Sequence, residues 1–310
     1  MSTKNNPPFI KRRPFSEESF ELARILSKTR DAIRKARQKE LDQYHVHARR
    51  ATLLLAVQSL DDRATPVAIG KWLLRERHSV SELLSKMEND GLVTKIWDLD
   101  RRNRVRVVLT PKGLEIYRKS VERESLHRIM SSLSEADFDR LRVSLQKLRT
   151  KALNILYSEL QVPQIPNQGR GFELLGLLME ATDAVRKARQ KELNEHGIDL
   201  AWSGVLLSVR ALGDRATPVA IGKRLLRERH SVSEILSKME NDGLVKKIRD
   251  LDRRNRVRVV LTPKGLRLYE KSSKGMVFPS VISSLSQKER KHLKGCLRVL
   301  LNKAMTEFEK

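Results

Sequence analysis

Thiols are almost missing from this chain. Its 310 residues hold one cysteine, Cys296, so no intramolecular disulfide can form and the chemistry fits a reducing compartment. Long apolar runs are missing as well: none approaches the ~20 residues that a bilayer-spanning helix needs. The opening stretch MSTKNNPPFIKRRPFSEE carries charge without an apolar segment, unlike a secretory signal. A soluble, cytoplasmic protein with no membrane partner is expected. Catalytic signatures are wanting too. There is no Gly-rich phosphate loop, no H-E-x-x-H and no G-x-S-x-G, so neither an enzyme nor a cofactor is expected. His45-x-His47 is the closest histidine pair, and no thiol or carboxylate cluster beside it completes a ligand set, so no metal is expected. Cys296, beside Leu297 at an apolar-type position, reads as a buried, inert thiol. Acids are scarce relative to bases: 38 Asp plus Glu against 63 Lys plus Arg, a net charge of +25. A field of that sign draws polyanions, with nucleic acid first and an anionic membrane surface second.

What the chain has in abundance is itself. Asp62–Leu114 recurs as Asp214–Leu266 with four changes: Trp72 to Arg224, Leu83 to Ile235, Thr94 to Lys246 and Trp97 to Arg249. The same offset of 152 aligns RKARQKEL at Arg34–Leu41 with Arg186–Leu193, and Ser131–Ser134 with Ser283–Ser286. Each repeat is thus a full domain in length. The expected organisation is a flexible basic arm at 1–14, a first repeat at 15–160, a Pro/Gly linker at 161–171 (QVPQIPNQGRG) and a second repeat at 172–310.

Within one repeat, Phe15–Tyr44 and Ala48–Leu60 have helical character, Ser16 being placed to cap the first. Thr65-Pro66 opens a third helix, with Thr as cap and Pro at the first helical position. Ser79–Asp90 is a fourth helix that buries Val80, Leu83, Leu84 and Met87, and Gly91 ends it. The period then changes. Leu92–Trp97 and Arg104–Leu109 read as strands joined by the polar turn DLDRRN. Thr110-Pro111 starts a fifth helix running to about Ser131, and Ser134 caps a last one to about Leu160. In the second repeat, Gly275 and Pro279 predict a broken or kinked fifth helix. The fold class is mainly α with small β-hairpin wings: two winged helix-turn-helix units fused in one chain as a pseudo-dimer.

The second helix of a helix-turn-helix meets base edges through its N-terminal part. Arginine can bind guanine in a bidentate way, and serine or histidine can pair with several bases. The candidate DNA-contacting residues of the first repeat are Thr65, Arg75, Arg77, His78, Ser79, Ser81, Ser85, Lys86 and Lys95. The wing adds Arg101, Arg102, Asn103 and Arg104, whose arginines suit a narrow minor groove. Their counterparts are Thr217, Arg227, Arg229, His230, Ser231, Ser233, Ser237, Lys238 and Lys247, with Arg253, Arg254, Asn255 and Arg256 in the second wing. Ser79 also reads as the cap of its helix, which does not exclude DNA contact. The Arg34–Lys39 stretch reads first as a solvated helix face and second as a phosphate contact.

Taken together, TPVAIGKWL, SVSELLSKMENDGLV, the wing DLDRRN and the exit VVLTPKG resemble the winged-helix core of the MarR (multiple antibiotic resistance regulator) family. The resemblance extends to the flanking helices, twice. The wing is one residue longer than the common family pattern, which leaves open which of Arg101, Arg102 and Arg104 faces the groove. The resemblance implies a sequence-specific transcriptional regulator, a repressor because the family mostly acts by occlusion, and an operator of double-stranded DNA. Family members are homodimers with intertwined terminal helices. Here an 11-residue linker, long enough for up to ~36 Å, would make one monomeric chain act as a pair on a near-palindromic site. Family members often bind phenolic or apolar effectors. Trp202, which stands where the first repeat has Arg50, is the candidate for such a pocket. A competing reading is an architectural chromatin protein that binds DNA with little sequence preference, which the net charge and basic arm favour.

Overall fold

The computed structural model describes residues 17–73, 77–98, 104–157, 170–249 and 257–309. The basic arm with Ser16, most of the linker, Leu74–Glu76 and both wing tips lie outside them. The described elements follow one order twice. The first run is α1 (Glu17–Asp42), α2 (Ala48–Leu60), α3 (Pro66–Trp72), α4 (Arg77–Asn89), β1 (Val93–Asp98), β2 (Arg104–Leu109), α5 (Pro111–Ser120), α6 (Glu124–Met130) and α7 (Glu135–Leu156). The second is α8 (Arg170–Asn194), α9 (Leu200–Leu212), α10 (Pro218–Leu225), α11 (Arg229–Asn241), β3 (Val245–Arg249), β4 (Val257–Leu261), α12 (Pro263–Ser273), α13 (Val277–Ile282) and α14 (Gln287–Glu309). The chain is mainly helical, with two small antiparallel hairpins, β1–β2 and β3–β4.

Contacts divide the chain into two compact units. Of the described residues, the first holds those within 25–150, 157–183 and 285–309, and the second those within 17–24, 151–156 and 184–284. Each unit therefore combines segments of both sequence repeats, and the division falls inside the long helices α1, α7 and α8. In the first unit, α14 comes from the far end of the chain. The Thr29 hydroxyl donates to Leu297 O (3.0 Å), and Arg128 Nε donates to the buried Glu307 carboxylate (2.8 Å).

Each winged core forms as its apolar spacing demands. In the first unit Leu53, Leu54 and Val57 of α2 meet Ile69 of α3, Val80, Leu84 and Met87 of α4, and Val93 and Val107 of the hairpin. Full burial of each such side chain contributes roughly 1.5–3 kcal/mol. The second unit repeats this with Val205, Leu206, Ile221, Val232, Leu236, Met239 and Val259. Thr65 and Thr217 cap their helices, accepting from Ala68 N–H and Ala220 N–H (both 3.1 Å), with Pro66 and Pro218 following in the first turn. Gly91 takes φ +69° after α4, where a side chain is strained.

Two expectations need correction. The fifth helix is two helices in both repeats, not a single rod in the first. In the first repeat Arg123 adopts φ +52° between α5 and α6. The break is held from α1, because Glu40 accepts both the N–H and the hydroxyl of Ser125. In the second repeat the break falls at Gly275. Pro279 sits inside the first turn of α13, where its missing N–H costs nothing. The second correction concerns Ser79, which is the third residue of α4 and not its cap.

Candidate nucleic-acid interface

The recognition helices take their orientation from burial. In the first unit Val80, Leu84 and Met87 are sealed into the core, at 1% exposure or less. The opposite side then presents Arg77, His78, Ser79, Ser85 and Lys86 to solvent, with Ser81 half-buried. Lys86 pairs with Glu82 one turn earlier (2.7 Å). In the second unit Val232, Leu236 and Met239 are buried, while Arg227, Arg229, His230, Ser233, Ser237 and Lys238 are exposed. Ser231 is half-buried there, and His230 Nε2 lies 3.2 Å from Glu234. Thr65 and Thr217 are half-buried caps at the start of α3 and α10.

The wings are fastened at their bases. The Val107 N–H donates to Ala64 O and the Val259 N–H to Ala216 O (both 2.7 Å), so each hairpin gains a third backbone partner. Arg106 pairs with Asp62 and Arg258 with Asp214. Lys95 and Lys247 turn inward: their ammonium groups donate to Glu88 (2.7 Å) and lie 3.0 Å from Glu240, and both reach the Ser85 or Ser237 hydroxyl at 3.2 Å. These two lysines, with Ser85 and Ser237, thus tie the recognition helix to the first wing strand. The bond from Lys95 holds the Glu88 carboxyl below the usual range, and the Lys247 N–H and ammonium do the same for Glu240. Arg75, Arg101, Arg102, Asn103, Arg253, Arg254, Asn255 and Arg256 lie outside the described residues. Arg104 opens β2, and its side chain is outside them too.

The RKARQKEL stretch is not a solvated face throughout. Arg34 and Lys35 are exposed, but Arg37 turns in, pairing with Glu40 and donating to Ser120 O at the end of α5. Arg189 does the same with Glu192 and, at 2.6 Å, with Ser272 O, and it is 1% exposed. Glu192 then accepts from the Met276 and Val277 N–H groups. These side chains clamp the helix break described above. Charge alone concealed this role, although the identical repetition of Arg and Glu three residues apart was its trace in the sequence.

A cavity of about 210 Å³ opens in the first unit, among α1, α2, α3 and the start of α8. Leu55, Trp72, Arg123, Phe172, Met179 and Glu180 line it. The Trp72 indole N–H is buried with no hydrogen-bond partner among the described residues. The Arg123 guanidinium stacks 3.9 Å over Phe172, and burial pulls it down to about 10. Glu180 is pushed up to about 7 by burial, with Arg149, whose Nε lies 2.6 Å away, opposing the shift. Trp202 packs half-buried against the core of the second unit. There, position 224 carries arginine in place of tryptophan, and Arg224 donates to Glu17 (2.6 Å) and lies over Phe20.

The second winged core carries a match to a known family. Residues 196–254 match the model of the MarR family. The matched segment begins in the turn before α9 and runs through the helix-turn-helix and β3, so this part of the chain is similar to the MarR family. Two solved structures of an organohalide-sensing transcriptional regulator, RdhR, are similar to it. The form with 2,4-dichlorophenol bound is 28% identical over 40% of this chain and 75% of its own, with a TM-score of 0.36. The ligand-free form is 25% identical over 47% of this chain and 89% of its own, with a TM-score of 0.39. A comparison with curated proteins gives no significant match. Among the described residues, no helix is long and apolar enough to cross a membrane.

Proposed function

We propose that this chain is a sequence-specific regulator of transcription, a repressor, that reads a near-palindromic double-stranded DNA operator with two winged helices from one polypeptide. One observation carries the reading. Two recognition helices that differ only at a core-facing position (Leu83 against Ile235) each bury the same apolar side and turn the same Arg-His pair outward, with the following serine exposed in the first (Ser79) and half-buried in the second (Ser231). A solvated structural helix needs no such identity at exposed positions. Two tethered readers exceed the affinity of either without new contacts. The working limits are the basic arm at 1–14, repeats at 15–160 and 172–310, and the linker at 161–171.

The cavity beside Trp72 supports an effector response. Its indole N–H, without a partner among the described residues, suits an acceptor, and arginines among aromatic rings suit a weakly acidic aromatic molecule. Arg224, paired with Glu17, stands where the second repeat would place the same tryptophan, which favours one effector per chain.

Selection of bound oligonucleotides from a random pool, followed by competition with non-specific DNA, tests the main reading. A two-part consensus bound at least ~10³-fold tighter than random sequence is expected. A specificity ratio near one would instead support the architectural role that the +25 charge favours.

A further inference from the structure

Asp137 on α7 and His292 and Cys296 on α14 converge within the first unit. His292 Nε2 lies 2.8 Å from Asp137 Oδ1, and Cys296 Sγ lies 3.7 Å from the same imidazole nitrogen. One ligand-type atom from each residue falls within 4.8 Å of the other two. For a tetrahedral zinc site with ordinary bond lengths, sulfur-to-nitrogen edges are about 3.5 Å and nitrogen-to-oxygen edges about 3.4 Å. His292 and Cys296 are four residues apart and so share one helix face. The Ser134 hydroxyl donates to Asp137 Oδ2 (2.8 Å), which orients the carboxylate and leaves Oδ1 toward the imidazole. Cys296 is buried, while Asp137 and His292 are partly open to solvent, so the cluster has three donors and one open side.

The duplication supplies an internal control. At the offset of 152, Asp137 corresponds to Glu289, His292 to Arg140 and Cys296 to Ser144. Glu289 spends its carboxylate on Lys147 (2.5 Å) and the Ser286 N–H (2.8 Å). The ligand set therefore exists at one of two equivalent places. Without a cation the thiol keeps its proton, because burial, helped by the Asp137 charge, pushes it up to about 11.

We propose that Asp137, His292 and Cys296 form a binding site for one divalent transition-metal cation of the zinc type, with water in the fourth position. A thiolate, an imidazole and a carboxylate are the donors such a cation selects. As the sulfur–metal bond forms, the Cys296 S–H bond breaks and its proton passes to solvent, with no change of oxidation state. Thiolate and carboxylate together balance the double charge of the ion, against the repulsion of nearby Arg140. The bound ion would pin α7 to α14.

The test uses the full chain, reduced and freed of metal by chelation, titrated with cobalt(II) and then zinc(II). A thiolate-to-cobalt charge-transfer band saturating at one ion per chain is expected, displaced by zinc, with one proton released per ion. Because Cys296 is the chain's sole thiol, the band can come from no other residue. Cys296→Ser should abolish it. His292→Arg, which installs the residue of the equivalent place, should weaken zinc by at least ~10-fold without moving the metal-free melting temperature; His292→Gln serves if the arginine form does not fold. Absence of the band in the unmodified chain overturns the proposal, as does zinc held equally by Cys296→Ser and the His292 variants.

Discussion

Replacing Gly113 with alanine gives the sharpest structural test. Gly113, in the first turn of α5, lies directly against the backbone of Leu92, which joins the recognition helix to the first wing strand. A Cβ built at Gly113 overlaps the Leu92 carbonyl oxygen outright and lies 2.9 Å from its carbonyl carbon. Carbon–carbon contacts prefer about 3.5–4.0 Å, so the backbone must part by on the order of 1 Å. The obstacle is main chain on both sides and has no rotamer to escape into. That parting also strains the bonds beside it, where the Thr110 N–H donates to Leu92 O (3.1 Å) and the Thr110 hydroxyl to Gly91 O (2.6 Å). Overpacking costs about 1–3 kcal/mol, and losing one hydrogen bond adds about 0.5–1.5 kcal/mol. Gly113→Ala should therefore destabilise the first winged core by about 2–4 kcal/mol. Gly265, with Leu244 beneath it, has the same geometry, so Gly265→Ala should cost the same in the second. The assay is urea denaturation followed by circular dichroism, with hydrogen exchange resolving which core opens. A shift below ~0.5 kcal/mol, the range of an ordinary surface change, would refute the packing argument.

Four further outcomes are expected. Arg77→Ala with Ser79→Ala should cost about 1–3 kcal/mol of DNA affinity per lost base contact and relax base preference in one half-site only, as should Arg229→Ala with Ser231→Ala in the other; fluorescence anisotropy on variant operators checks this, and because Ser79 is not a cap the fold should be spared. With roughly 6–10 phosphate contacts, affinity should fall about 10³–10⁵-fold between 50 and 200 mM salt; a flat titration would show that the basic surface is not the binding face. Glu180, raised from 4.5 to about 7 in the folded chain, binds its proton more tightly when folded, so the stability it contributes is full below 4.5 and is lost as pH rises through 7. Glu180→Gln should flatten that decline, worth up to roughly 3 kcal/mol, in urea midpoints compared between pH 4.5 and 8. Finally, aromatic acids should quench Trp72 fluorescence with one equivalent per chain, and Trp72→Arg, the second repeat's own choice, should remove the site; quenching that survives this change would place the effector elsewhere.

The recognition helices were legible because their signal is local. Val80, Leu84 and Met87 recur at helical spacing, Thr65-Pro66 marks a start, and Gly91 marks a stop. The break between α5 and α6 was not legible. Val121-Glu122-Arg123 contains no breaker, and Arg123 is held at positive φ by groups far along the chain, chiefly Glu40 bonding to Ser125. Charge misled at Arg37 and Arg189, since a basic residue on a long helix is usually solvated, and partners such as the neighbouring carbonyl and glutamate offset the cost of burial.

The sequence alone determined that two winged cores exist, because a duplication and a helical or strand period depend on neighbours a few residues apart. It also determined which apolar side each recognition helix buries, Val80, Leu84 and Met87 in one and Val232, Leu236 and Met239 in the other. Tertiary structure decided what the long helices do. Only folding brings Leu297 to Thr29, Glu307 to Arg128, and Asp137 to His292 and Cys296. The physical reason is that an amphipathic helix specifies an apolar stripe without naming its partner. Which carboxylate, thiol or arginine ends up beside another depends on contacts more than a hundred residues apart, and no local period encodes them.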